Sequence, residues 1–255
     1  MKEIKDLVEI IPDDVKKEIY KDGIKTTVIE TGETLSLIPR TIKNAFSPLK
    51  MWCMNREFRV KELELELQKK LEIKKEENIV DCDPSIFIPS AQAISYNWDK
   101  IDIREMYLNL MVSDMDITKK ENVHPSFSEI IKQMDSIDVQ VFTKLYRQHI
   151  IPVYVLKHKK IEGTTPILDY LLDDGFYINI SEYRLIKSLN NLERLKLIDI
   201  DVDSYYVDKK VYNLIENSTI FKNYKAEFLD TLVIKKGMIK KTEFGKGFFN
   251  VCCGQ

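Results

Sequence analysis

The chain has 255 residues, 44% apolar and 31% charged, and its 39 Lys and Arg nearly balance 41 Asp and Glu for a net charge of -2. That composition excludes a disordered or collagen-like polymer and leaves ample material for a core. It also removes any global attraction to nucleic acid or anionic lipid, so binding of either must come from a local patch.

Eight glycines are few for this length and favour helices over a turn-rich sheet. Pro12 with Asp13 and Asp14 starts a short helix that Gly23 can end. From Val28 the apolar positions fall at Thr31, Leu35, Ile38, Ile42, Ala45, Leu49 and Trp52, the alternating spacing of a seam packed on another helix. Pro39 should kink that helix, and Ser47-Pro48 should open a new one. The run Glu62-Leu63-Glu64-Leu65-Glu66-Leu67 alternates like a strand, yet its residues are strong helix formers and Val60, Leu63, Leu67 and Leu71 form a helical stripe, so the expectation is helix. A polar linker, KKEENIVDCDP, follows. Pro89 is read as starting the next helix, through Trp98, and Ile103, Met106, Tyr107, Leu110 and Met111 give another a clear buried face. The segment VHPSFSEIIKQM then opens a helix with capping-box spacing at Ser126 and Glu129.

From Ser136 the pattern becomes that of a winged helix-turn-helix unit. Asp138–Gln148 supplies a first helix with Val141, Phe142 and Leu145 inward. Thr164-Thr165-Pro166 is read as starting a second, running to Asp174 and stopped by Gly175. Ser181 caps a third, with Leu185, Leu189, Leu192 and Leu195 as its apolar face and Ile186 at the edge. Leu197–Ile200 alternates as a strand, the chain returns in a strand from Ile234, and Thr242 opens a closing helix. Between the two strands Val211, Leu214, Ile215, Phe221, Tyr224 and Phe228 indicate inserted helices. The expected fold is therefore mainly α: an N-terminal helical bundle over residues 1–123, then a winged-helix-like α/β region over 124–255 with a helical insertion in the wing at about 204–232.

Candidate chemistry is sparse. His124 near Ser126 fits a helix entry better than a base and nucleophile, since no orienting third group or oxyanion motif accompanies it. Asp199, Asp201 and Asp203 begin like a calcium loop, but Ser204 and Lys210 occupy its glycine and glutamate positions, so the loop fails and the run reads as the wet face of a strand. Asp114 and Asp116 read as a solvated turn that closes a helix. Cys53, Cys82, Cys252 and Cys253 lack metal-ligand spacing, and His149 and His158 flank a turn without partners at zinc spacing. No nucleotide, nucleophile-elbow or zinc-protease motif occurs, so no metal, cofactor or catalytic residue is assigned. The N-terminus lacks a signal-peptide core and no apolar run reaches the roughly 18 residues of a membrane span, so a cytoplasmic protein with free thiols is expected.

Two surfaces remain. On the third helix Tyr183, Arg184, Lys187, Asn190, Asn191 and Arg194 have the placement of groove-reading residues, and Lys240 and Lys241 could grip phosphates beside them. Glu182, Glu193 and the Asp199–Asp203 run oppose that reading through repulsion. The seam of Leu35, Ile38, Ile42, Leu49 and Trp52 is either internal packing or a surface for a protein partner or a second copy. A membrane contact ranks last, because the polar face of Glu30, Glu33, Arg40 and Lys43 has no basic excess.

The blocks DLVEIIPDDVKKEIYKDGIKTTVIETGETLSLIPRTI, REMYLNLMVSDMD, NVHPSFSEIIKQM and NLERLKLI…TEFGKGFFNVC occur in this order, and with them the chain resembles the abortive infection alpha (Abi-alpha) family. This is a bacterial group first catalogued as a domain of unknown function and linked to phage resistance. The resemblance runs from about Asp6 to Cys253 and implies a part in anti-phage defence by abortive infection. His124, Pro125, Ser126 and Phe127 match the family without assigning a mechanism. The residues favour recognition of a phage or host component without catalysis. The alternative is a winged-helix DNA-binding transcriptional regulator using Arg184, Lys187 and Arg194.

Overall fold

The computed structural model describes residues 57–254, with side chains from residue 62. The seam carrying Leu35, Ile38, Ile42, Leu49 and Trp52 lies outside the described residues.

The first described helix, α1 (Glu57–Glu72), resolves the alternating leucines in favour of a helix. Leu63, Leu67 and Leu71 are buried while Leu65 is 54% exposed, a four-residue repeat that a strand would not give. The linker that follows turns once at Glu76–Asn78 and is sewn onto the end of a later helix. Helix α2 (Pro84–Tyr96) starts five residues earlier than its proline reading suggested. Asp83 accepts the N–H of Ser85 at 2.8 Å and Pro84 takes the first turn, so Pro89 sits inside the helix. Helix α3 (Ile101–Asp114) is central, with Leu108 through Asp114 buried on every side.

At the end of α3, Asp114 and Asp116 are not a solvated turn: they are 3% and 4% exposed. Asp114 accepts the N–H of Asp83 at 2.5 Å, and Asp116 pairs with Lys74 at 3.1 Å and takes Thr118 Oγ1 at 2.6 Å. These carboxylates fasten the linker between α1 and α2 to the core. Burial pushes the Asp116 carboxyl up, but the hydrogen bonds from Thr118 and Lys74 and the Lys74 charge outweigh it, leaving the group below the usual carboxylate range.

Helix α4 (Ser126–Lys132) is followed by α5 (Ser136–Arg147), which a capping box at Asp135 opens and whose Val141, Phe142 and Leu145 point inward as expected. The fold then departs from the mainly α expectation. Residues 152–171 form an antiparallel hairpin of β1 (Pro152–Lys160) and β2 (Gly163–Leu171), turning at Ile161-Glu162. Gly163 has φ 142° at this turn, a conformation closed to other residues. The expected helix from Thr164 is thus a strand. Pro166 is accommodated because β2 lies at the sheet edge, where a missing N–H costs no ladder bond.

Helix α6 (Glu182–Arg194) leads into β3 (Ile198–Asp201). The expected insertion carries α7 (Asn213–Glu216) and α8 (Thr219–Phe228), and β4 (Leu232–Lys241) returns to α9 (Glu243–Cys252), capped by Thr242. The four strands form one antiparallel sheet in the order β2-β1-β4-β3. The architecture is therefore mixed α/β, and a hairpin stands where a winged unit needs its second helix. That replaces the winged-helix reading.

The sheet is covered on both sides. Val153, Ile198 and Ile239 join the main core, which runs continuously from Leu63 in α1 to Cys252 in α9. Tyr154, Leu156, Leu168 and Leu171 face the other way and pack against Tyr212, Ile215 and Phe221 of the insertion. Tyr154 and Tyr212 stack at 5.2 Å between ring centres, and Tyr212 donates to the Gly237 carbonyl at 3.0 Å. The insertion is thus a lid on an apolar sheet face, removing that face from water. Among the described residues no helix is long and apolar enough to cross a membrane.

Candidate contact surface

Helix α6 is built from strong helix formers around one apolar stripe: Leu185, Leu189 and Leu192 are buried, as is Leu195 just beyond, and Ile186 reaches the insertion's core. Ser181 stands at the N-cap in extended backbone, but its hydroxyl makes no capping bond; its carbonyl accepts the N–H of Leu185. The C-terminus closes with Leu197 N–H on the Leu192 carbonyl and Lys196 N–H on that of Glu193, a Schellman motif. Its left-handed position is held by Lys196 at φ 59°, where glycine is usual.

The structure divides the expected basic residues into two groups. Asn191 donates to the Gln133 carbonyl and to Asp138 Oδ2, both at 2.9 Å. Arg194 donates to Gln133 Oε1 at 2.9 Å and to Asn191 Oδ1 at 2.7 Å. These bonds staple the last turns of α6 to the α4–α5 corner. Lys240 pairs with Asp201 at 2.6 Å, which together with the N–H groups of Ser204 and Asp203 holds that carboxyl far below its ordinary range. Lys241 donates to the Tyr146 carbonyl at 2.7 Å and lies over the Tyr146 ring. Burial, with the nearby Lys246 charge, pulls its ammonium below the usual lysine range.

Arg184 and Lys187 form the second group: both are exposed and neither has a side-chain partner among the described residues. Tyr183 beside them is 77% exposed. Ile178, just before the helix, is 69% exposed, and no motif in the sequence marked it.

Most of the acidic groups that oppose binding have partners within the fold. Glu182 accepts the Tyr224 hydroxyl at 2.6 Å, and Glu193 accepts the Ile200 N–H at 3.1 Å. Burial and then the Glu182 hydrogen bond push the Tyr224 hydroxyl well above its ordinary range. Asp203 pairs with Lys235 at 2.7 Å. Asp199 and Asp201 lie on the strand β3, as expected, with Asp199 exposed, and Asp201 and Asp203 have lysine partners; among the described residues no group of three or more His, Cys, Asp or Glu is placed to hold a metal.

The remaining candidate chemistry is structural as well. His124 Nδ1 accepts the Ser126 N–H at 3.1 Å and lies 2.7 Å from Ser126 Oγ, so the imidazole caps this turn and Ser126 does not. Its ring packs near Phe127 and Phe244. Burial pushes the Cys253 thiol up to about 12, and the Cys82 and Cys252 thiols also rise through burial.

The family model for abortive infection alpha matches residues 55–252. Among solved structures, an uncharacterized protein from the hydrocarbon-degrading marine bacterium Alcanivorax borkumensis SK2 is similar at 13% identity and a TM-score of 0.33, over 53% of this chain and 94% of that one. No curated protein matches the chain.

Proposed function

This chain belongs to the abortive infection alpha family, and from that premise we propose that it acts in anti-phage defence by recognising a phage or host component, without a chemical step of its own. The observation that carries the reading is the outward face of α6. Tyr183, Arg184 and Lys187 stand free on a helix whose other end is stapled to α4–α5, while Glu182 and Glu193 are turned into internal bonds. A rigid helix presenting an aromatic ring and unpaired cations is suited to binding, because little side-chain and backbone freedom remains to be lost.

A phage challenge of cells with and without the gene, at low and high phage-to-cell ratios, tests the defence role. Protection at the low ratio with collapse of the culture at the high ratio is the expected result. Absence of protection across a broad phage panel would overturn it.

A further inference from the structure

We propose that the N-terminal half of α6 docks an acidic protein segment, taking two carboxylates spaced one helical turn apart on Arg184 and Lys187, with Tyr183 as the apolar anchor. This deepens the recognition reading and rests on it. Arg184 and Lys187 are three residues apart on one helix, which sets their Cβ atoms about 5–6 Å from each other. Carboxylates at the same i, i+3 spacing on a partner helix match that separation. The guanidinium can take one of them through two parallel hydrogen bonds, and the lysine holds the other as a point charge. Tyrosine and arginine are the residue types that dominate binding energy at protein interfaces, and here they are adjacent in sequence.

The number of free cations argues against nucleic acid as the occupant. Of the eight residues first suggested for a phosphate or base contact, Asn191, Arg194, Lys240 and Lys241 are engaged within the fold, which leaves two of the cations. Arg184 and Lys187 remain, and Lys196 past the helix end adds a third. Three phosphate contacts give a logarithmic salt slope of about -3, whereas tight duplex binders make roughly 6–10 contacts. Three cations are too few for a phosphate backbone, whereas Arg184 and Lys187 beside an aromatic ring are sufficient for a carboxylate pair.

The test uses the full chain and three labelled probes: a helical peptide with glutamates at i, i+3 on an alanine-leucine background, a 20-base-pair DNA duplex, and phosphatidylserine vesicles. Arg184→Glu with Lys187→Glu is compared with Lys209→Glu with Lys210→Glu, an equal charge change at exposed residues of the insertion. The expected result is peptide binding weakened at least tenfold by the α6 pair and little by the control, with phage protection lost only in the α6 pair. Arg184→Gln with Lys187→Gln repeats the comparison if the reversed pair fails to fold, as judged by circular dichroism. Equal weakening by both pairs would overturn the proposal. So would α6-dependent binding of duplex with a salt slope steeper than about -3, or of vesicles in preference to peptide. A wild type that binds the peptide through α6 yet gives no phage protection would remove the defence reading and leave the docking surface. Full protection by an α6 pair that folds, where wild type protects, would remove the docking surface and leave the defence reading.

Discussion

Replacing Gly245 by alanine sets two physical effects against each other within one helical turn. Gly245 lies near the start of α9, and its N–H donates to Thr242 Oγ1 at 2.9 Å. Helix propensity alone favours alanine over glycine by about 1 kcal/mol. Space opposes it: a Cβ here would intrude on Tyr146 Oη and on the Leu197 carbonyl oxygen, with the Leu197 carbonyl carbon at 2.9 Å. Tyr146 donates its hydroxyl to that same carbonyl at 2.6 Å, so the methyl group would push into a buried hydrogen bond. Turning the tyrosine away forfeits that bond, at about 1–3 kcal/mol. The Leu197 carbonyl is backbone and cannot rotate aside, so α9 must also retreat from the α6–β3 junction, an overpacking cost of about 1–3 kcal/mol. After subtracting the propensity gain, the net loss is about 3 kcal/mol, or about 6–12 °C in Tm for a chain of this size. Gly247 is the internal control: it lies in the same helix, its Cβ position meets nothing within 4 Å, and Gly247→Ala should stabilise by about 1 kcal/mol. Urea unfolding followed by circular dichroism measures both. Adding Tyr146→Phe to Gly245→Ala removes one of the two obstructing oxygens and should show a coupling of about 1 kcal/mol. A Gly245→Ala protein as stable as wild type would refute the packing at this corner.

Other outcomes follow from single positions. Lys196→Gly relieves left-handed strain of about 1–2 kcal/mol while adding unfolded-state entropy of about 0.5–1 kcal/mol, so a net gain near 0.5–1 kcal/mol is expected in the same unfolding assay; a loss would contradict the Schellman geometry. Asp116 has a folded pKa below its unfolded value, so its contribution is present above about pH 4 and is lost as pH falls through the lower folded value. Asp116→Asn should therefore destabilise at pH 7 and flatten the loss of stability below pH 4, and an unchanged acid-unfolding curve would count against this anchor. At pH 8 a thiol held near 12 is about one part in ten thousand thiolate, so Cys253 should resist iodoacetamide in the native protein, as should Cys82 and Cys252, and all should label in urea; mass spectrometry of the peptides decides.

What could be read from sequence was what local periodicity determines. The α6 stripe of Leu185, Leu189, Leu192 and Leu195, the strand after it, the inserted helices and the Thr242-capped closing helix all stand where spacing and capping put them. The hairpin over residues 152–171, with a helix expected from Thr164 in place of β2, was not legible because its decisive information is not local. Thr164-Thr165-Pro166 suits a helix start or an edge strand equally well; pairing of Lys157 with Pro166 across the Gly163 turn, and of β1 with β4 far along the chain, chooses the strand.

The same distinction governs the charged residues. Read along the chain, α6 and β4 present a basic margin opposed by a stretch of aspartates. In the folded protein Asn191 meets Asp138 across 53 residues, Arg194 meets Gln133 across 61, and Lys240 meets Asp201 across 39. Each of these contacts removes a cation or an amide from the binding inventory, and the Lys240–Asp201 pair removes a repulsive carboxylate as well. A recognition surface is defined by the charges left over after folding, because groups already hydrogen-bonded must give up a partner before they can bind another. On α6 that remainder is Arg184 and Lys187 beside Tyr183, a remainder that supports the proposed protein partner over the nucleic-acid alternative.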